Sequence, residues 1–196
     1  MRFHSLFMMS CLLLSSLFLQ GQETYKMIVS DDQKISIAGT STLHAWKMNT
    51  KTLTGVAQFS LTPGHQNQIT SVQSLSMSLE VLTLKSSSKA LDKNAYKALK
   101  TEQFRNITYT LTAATVFPEN NNRYKIATTG NLKIAGVSNE VYMDVFCTVN
   151  RDASITCSGK DALKMTDYNV KPPSFMMGAM KTGDELILDF TVVYKK

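Results

Sequence analysis

Apolar and polar residues alternate with a period of two along most of the chain from Met27 to Tyr194, which predicts strands. Leu75, Met77, Leu79 and Val81 share one face, with Ser74, Ser76, Ser78 and Glu80 on the other. Ile107, Tyr109, Leu111 and Ala113 alternate with Thr108, Thr110 and Thr112. One parity joins Tyr124, Ile126, Leu132 and Ile134, and another Val141, Met143, Val145 and Cys147. Near the C-terminus Leu186, Leu188, Phe190, Val192 and Tyr194 share a face, opposed by Asp189 and Thr191. One apolar face per strand is the mark of antiparallel sheet. Reversals are predicted at Pro63-Gly64, Glu119–Asn122, Gly136–Asn139, Asn150–Asp152 and Thr182–Asp184, where Gly, Asn, Asp and Pro favour turns. The intervals between them often exceed ten residues, longer than the strands of an immunoglobulin-like sandwich. About eight such strands fit an all-β, up-and-down antiparallel barrel whose interior holds one small ligand.

One segment breaks the period. Ser86-Ser87-Ser88 suits a helix cap, and Leu91, Ala95, Ala98 and Leu99 follow at helical spacing. A single amphipathic helix of about twelve residues should therefore lie against the barrel or close one end, as a lid on the apolar core.

The beginning of the chain follows another rule. Arg2 and His4 precede an almost continuously apolar run, Phe7–Leu19. That run falls short of the ~20 residues that span a bilayer and suits a secretory signal. Cys11 lies inside it rather than after it, which argues against a lipoprotein anchor. We expect residues 1–21 to be a signal peptide and residues 22–196 to form one periplasmic or secreted domain, soluble after cleavage. Removing the peptide leaves two histidines, His44 and His65, and two cysteines, Cys147 and Cys157. An oxidising compartment lets those cysteines pair. A hairpin between Val141–Val149 and Ser154–Leu163, turning about Asp152, sets Cys147 opposite Cys157 at a Cα separation of ~4.5–5.5 Å, which a disulfide accepts. A register slipped by one would instead put the two thiols on opposite faces.

Charge changes the picture little. Lys plus Arg is 21 against 15 Asp plus Glu, but the excess is spread with no basic run, so no nucleic-acid footprint is expected. The moderate positive charge favours approach to an anionic lipid surface.

Four segments in order carry a resemblance: Gly39–Trp46 (GTSTLHAW), Leu91–Tyr109 (LDKNAYKALKTEQFRNITY), Gly130–Val137 (GNLKIAGV) and Met165–Pro173 (MTDYNVKPP). Across nearly all of Met27–Tyr194 the chain resembles the YceI-like family of exported bacterial lipid-binding proteins. The resemblance implies a lipocalin-like, extended barrel that encloses a long apolar ligand, typically polyisoprenoid or fatty amide. A homodimer is likewise a family-level expectation. Ala45 stands where an acidic residue is common, Asn169 where Gly is frequent, and Gln103-Phe104-Arg105 where Tyr-Pro is common. These departures bear on head-group contacts and leave the barrel untouched.

Candidate contacts follow from parity. His44 and Trp46 share a face; His44 would hydrogen-bond a ligand carbonyl or amide while Trp46 packs on its chain, or else both are structural. Asp167 and Tyr168, just before Pro172-Pro173, would set the polar end of a pocket, or Asp167 caps its own loop. Leu75, Met77, Leu79, Tyr109, Leu111, Met143, Val145, Leu188 and Phe190 would supply the tunnel wall. Met165, Met176, Met177 and Met180 would line its mouth or simply fill gaps. His65 has no metal-ligand spacing to His44, and Asn106-Ile107-Thr108, a glycosylation pattern, opens a predicted strand. No nucleophile, phosphate-loop, zinc-protease or dinucleotide motif occurs, so neither an enzyme nor a cofactor is expected. The resemblance implies a carrier of a long-chain amphiphile such as an isoprenoid quinone, polyprenyl lipid or fatty amide. The competing class is a barrel with a filled core acting through a protein partner, for example in a stress response; a small lipid hydrolase comes third.

Overall fold

The computed structural model describes residues 22–31, 33–62, 68–175 and 179–196. The signal-peptide expectation, the Pro63-Gly64 turn, His65, Met176 and Met177 all lie outside these residues. In chain order the elements are β1 (Gln22–Met27), β2 (Lys34–Ser41), β3 (Ala45–Thr50), β4 (Thr54–Thr62) and β5 (Gln68–Glu80). A 3-10 turn (Val81–Thr83) and the helix α1 (Lys89–Ala98) follow. Then come β6 (Asn106–Pro118), β7 (Arg123–Ile134), β8 (Val137–Val149) and β9 (Ile155–Lys164). A second 3-10 turn (Thr166–Tyr168), β10 (Ser174–Phe175) and β11 (Met180–Lys195) complete the chain.

Eight strands close into an antiparallel ring in the order β1-β4-β5-β6-β7-β8-β9-β11, because β11 pairs with β9 on one edge and with β1 on the other. The first and last strands thus complete the barrel, at Lys26↔Lys195 and Met27↔Tyr194. Beyond β1 the same edge of β11 is taken by β2, and the β2–β3 hairpin extends the wall at that end. The outer edge of β3 touches the segment before α1 by one isolated bridge, in which the amides of Asn49 and Lys85 each donate to the other's carbonyl at 2.8 and 2.9 Å.

Local chemistry sets the reversals. Between β6 and β7, Asn121 and Asn122 sit at φ 61° and 57°, where Asn is tolerated. Between β7 and β8 the turn is Ala135-Gly136, at φ 48° and 87°, the two-residue type whose twist matches the flanking strands. The expected reversal at Gly136–Asn139 therefore falls one residue earlier, and Val137–Asn139 already belong to β8. In the β8–β9 turn the Asp152 carboxylate accepts from Ser154 N at 3.1 Å and Ser154 Oγ at 2.6 Å. Cys147 and Cys157 are direct ladder partners with a Cα separation of 4.1 Å, joined by a disulfide as the hairpin register predicted.

Two expectations are corrected. Thr182–Asp184 is no reversal: it lies within β11, where pairing with β2 shifts register between Thr182 and Leu186. The bulge lets the Asp184 carboxylate accept from Thr166 N at 2.9 Å and Thr166 Oγ1 at 2.6 Å, tying the second 3-10 turn to the strand. Ala113 does not share the inward face of Leu111, because a bulge follows Leu111; Ala113 is exposed, while Ala114 and Val116 pack on the core. The helix is as expected: Ser88 Oγ caps it by accepting from Leu91 N at 3.4 Å, and Leu91, Ala95, Ala98 and Leu99 face the barrel.

The end of the barrel closed by β1 is plugged. Tyr25, Phe59 and Tyr194 meet edge-to-face at centroid distances of 5.4 and 5.7 Å over buried Ala57 and Ile155. Further along, inward-facing glycines receive large rings: Trp46 lies on its cross-strand partner Gly39, Phe190 on its partner Gly159, and Tyr109 on Gly130. Among the described residues no helix is long and apolar enough to cross a membrane.

Candidate functional site

Among the described residues, an outer and an inner cavity stand out along the barrel. The outer one, about 430 Å³, is roofed by α1 and walled by the β2–β3 hairpin, β6, β7, β9, the second 3-10 turn and the start of β11. That volume falls within the usual range for small-molecule sites. Leu91, Ala95, Ala98 and Leu99 form its roof, and Ile37, Trp46, Met48, Ile107, Ile134, Leu163 and Leu186 its wall. Polar groups gather at the rim: Ser41, His44, Lys164, Lys181 and Thr182. The inner cavity, about 60 Å³, sits below, between Leu75, Met77, Tyr109, Leu111, Met143, Val145, Phe190 and the disulfide. Trp46, Leu75, Met77 and Ile107 pack against both apolar clusters of the core.

The sequence-predicted residues divide between these sites. His44, Trp46 and Tyr168 line the outer cavity; Leu75, Met77, Tyr109, Leu111, Met143, Val145 and Phe190 line the inner one. Leu79 and Leu188 line neither: Leu79 is 6% exposed within the core, and Leu188 packs against it from the wall. Asp167 is exposed and also lines neither; its backbone carbonyl accepts from Asn139 Nδ2 at 2.7 Å. Tyr168 is buried, and desolvation, reinforced by Asp167 and Asp161, pushes its phenol up to about 12, so it stays a neutral donor. Met165 and Met180 line the outer cavity.

The two mouth residues differ in how they are held. Trp46 Nε1 donates to the Thr40 carbonyl at 3.1 Å, which fixes the indole against Gly39. His44 is exposed on the turn between β2 and β3, where its backbone amide donates to Ser41 Oγ at 3.2 Å and its carbonyl accepts from Ser41 N at 3.0 Å. The turn, not a partner for the ring, decides its place.

Parity arguments missed the largest contributor. The apolar face of α1 was read as a lid on core, yet it is the roof of the larger cavity. Its small residues carry the signal: Ala95 and Ala98 line the cavity with short side chains. Leu163 and Leu186 were not among the expected contacts: the first lies near the end of β9 and the second just past the β11 bulge. Among the described residues no group of three His, Cys, Asp or Glu side chains is placed to hold a metal.

Comparison with known proteins agrees with this architecture. A family model for the YceI-like domain matches residues 29–194. Burkholderia cenocepacia BcnA superposes with a TM-score of 0.63 at 20% identity, over 82% of this chain and 95% of that one. The Campylobacter jejuni YCEI protein gives 0.58 at 18% identity, over 76% and 84%. A polyisoprenoid binding domain from Saccharophagus degradans, implicated in plant cell wall breakdown, gives 0.62 at 10% identity, over 87% and 97%. No curated protein matches the chain in sequence. At these identities the structures speak for the fold, while the family model runs from before β2 to nearly the end of β11: the chain belongs to the YceI-like domain family.

Proposed function

We propose that this protein is an exported carrier that sequesters a long-chain amphiphile, an isoprenoid quinone, polyprenyl lipid or fatty amide, and that it is not an enzyme. One observation carries the reading: the roofed, almost wholly apolar cavity of about 430 Å³ between α1 and the barrel wall. Burial of chain methylenes supplies the affinity, at ~0.8 kcal/mol each in gross transfer terms, offset by loss of chain and overall freedom. Trp46 offers a fixed flat surface to the chain, His44 and Tyr168 meet the ligand near the mouth, and Leu75, Met77, Leu111, Met143, Val145 and Phe190 form the deeper wall. Residues 1–21 are the export signal and residues 22–196 the working domain, placed in the periplasm or outside the cell. The likeness to a polyisoprenoid binding domain supports this choice of ligand class. Organic extraction of the purified protein followed by mass spectrometry is the test. A stoichiometric lipid is the expected result. An empty protein that also fails to take up prenyl alcohols or fatty amides of any length would refute the carrier.

A further inference from the structure

Positive charge looks evenly spread along the sequence, but the fold gathers much of it on one surface. Residues 85–100 hold five lysines against Asp92 alone, a net +4 out of the whole chain's +6. Asp92 is buried and already engaged: its carboxylate accepts from Ser86 N at 2.8 Å and Ser86 Oγ at 2.7 Å. Lys85, Lys89, Lys93, Lys97 and Lys100 are all exposed. Lys89, Lys93 and Lys97 recur every fourth residue, so they form a stripe about 80° wide along α1. That stripe lies opposite Leu91, Ala95, Ala98 and Leu99, which roof the outer cavity. Lys85 flanks the helix, its Nζ donating to Tyr96 Oη at 2.8 Å. Among the described residues none of the five forms an ion pair.

Helix stability does not account for this pattern. Lys89–Lys93 and Lys93–Lys97 are like-charge pairs at i, i+4, which weaken a helix. Lys89 stands in the first turn, where the helix dipole favours an anion. Lys100, at φ 53° just past the C-cap Leu99, takes the left-handed position usually given to Gly. A row of unpaired cations suits an extended anionic partner instead. The row is all Lys, with no Arg to grip a phosphate through two parallel hydrogen bonds. Tyr96, the one aromatic residue of the segment, already has Lys85 Nζ over its ring, 5.1 Å from the centroid. These features favour a lipid headgroup layer over the stacked bases of a nucleic acid.

We propose that the lysine face of α1 docks the protein on an anionic phospholipid surface, setting the roof of the outer cavity against the bilayer. The apolar side of α1 stays on the barrel, so the attraction is electrostatic and the helix does not insert. Docking goes beyond the carrier reading and is tested without a carried ligand, so either can fail while the other stands.

The test is co-sedimentation of the purified protein with vesicles of phosphatidylglycerol and phosphatidylcholine in equal parts, against vesicles of phosphatidylcholine alone. Wild type should partition onto the anionic vesicles and leave them at high salt, where screening shortens the reach of the charges. At about fivefold per lysine, the Lys89→Gln/Lys93→Gln/Lys97→Gln variant should bind roughly a hundredfold more weakly. Gln is as good a helix former as Lys, and the Lys89→Arg/Lys93→Arg/Lys97→Arg variant should bind like wild type. Lys26→Gln/Lys34→Gln/Lys195→Gln removes the same charge from β1, β2 and β11, and should change binding by less than about fivefold. In wild type itself, acetylation read by mass spectrometry should find Lys89, Lys93 and Lys97 protected by anionic vesicles, and Lys26, Lys34 and Lys195 still reactive. Equal partition of wild type onto both kinds of vesicle would overturn the proposal. So would an equal loss in the two glutamine variants, which would assign binding to net charge alone. Protection of the α1 lysines by duplex DNA but not by anionic vesicles would give the face to a nucleic acid and overturn it as well.

Discussion

Reduction of the Cys147–Cys157 bridge tests how the β8–β9 hairpin stabilises the barrel. The bridge joins residues ten apart in sequence. For a loop of that size, the chain-entropy treatment removes about 9 cal/mol/K from the denatured ensemble, or about 2.7 kcal/mol at 25 °C. The native side should change little. The ladder holds the two residues opposite one another through Val145↔Gly159 and Thr148↔Thr156 whether or not the sulfurs are joined. Both side chains are also buried, at 2% and 4% exposure, and remain in apolar contact as thiols. The expected loss is therefore about 2–3 kcal/mol, with the fold retained. The measurement is guanidinium unfolding of oxidised and fully reduced protein, followed by the fluorescence of the single Trp46, with free thiols counted. The midpoint should fall and the slope rise, since the reduced denatured chain exposes more surface. An unchanged midpoint in protein with two free thiols would refute the loop-entropy argument. Complete unfolding on reduction would refute the claim that the ladder alone keeps the register.

Other consequences can be checked directly. Gly39→Ala puts a Cβ 2.5 Å from Trp46 Cζ2, so the ring must leave the wall; thermal melts should show a cost of about 1–3 kcal/mol, with shifted Trp emission. Ala95→Phe fills the outer cavity from its roof, and should abolish lipid retention in extracts while leaving the melting temperature at or above that of wild type. Ser88→Ala removes the cap of α1 and should cost about 1 kcal/mol by denaturant unfolding. Asp184 is held below its ordinary 3.8, first by the Thr166 hydroxyl and then by the Thr166 amide. Its contribution is therefore complete above that value and lost as pH falls through the lower, folded one. Melts between pH 7 and pH 2 should show Asp184→Asn less stable than wild type at neutral pH, with the gap closing below about pH 4; a gap independent of pH would rule the interaction out.

Strand periodicity made most of the barrel legible, because one buried face per strand writes itself directly into alternate residues. Tyr124, Ile126 and Leu132 are buried as their parity demands, and the disulfide fell out of turn geometry alone. The failures sit where the period slips. A bulge after Leu111 turned Ala113 outward, and the bulge at Thr182 made a strand segment look like a turn. The outer cavity was hidden for a different reason. A roof of small residues on α1 looks, in sequence, like any amphipathic helix; only the missing volume opposite Ala95 and Ala98 distinguishes it.

Joining the first strand to the last has a consequence for how the molecule comes into being. Val193 O accepts from Ile28 N at 3.0 Å, and Lys196 reaches Glu23. No intermediate of synthesis that lacks β11 can complete such a ring, because Val193–Lys195 must arrive before β1 gains its second neighbour. A chain emerging end-first thus keeps an open seam until β11 is delivered. Closure is a late, long-range event, slow by nature. The same adjacency means that joining β11 directly to β1, with the chain opened in an exposed turn, would replace that late event with an early hairpin.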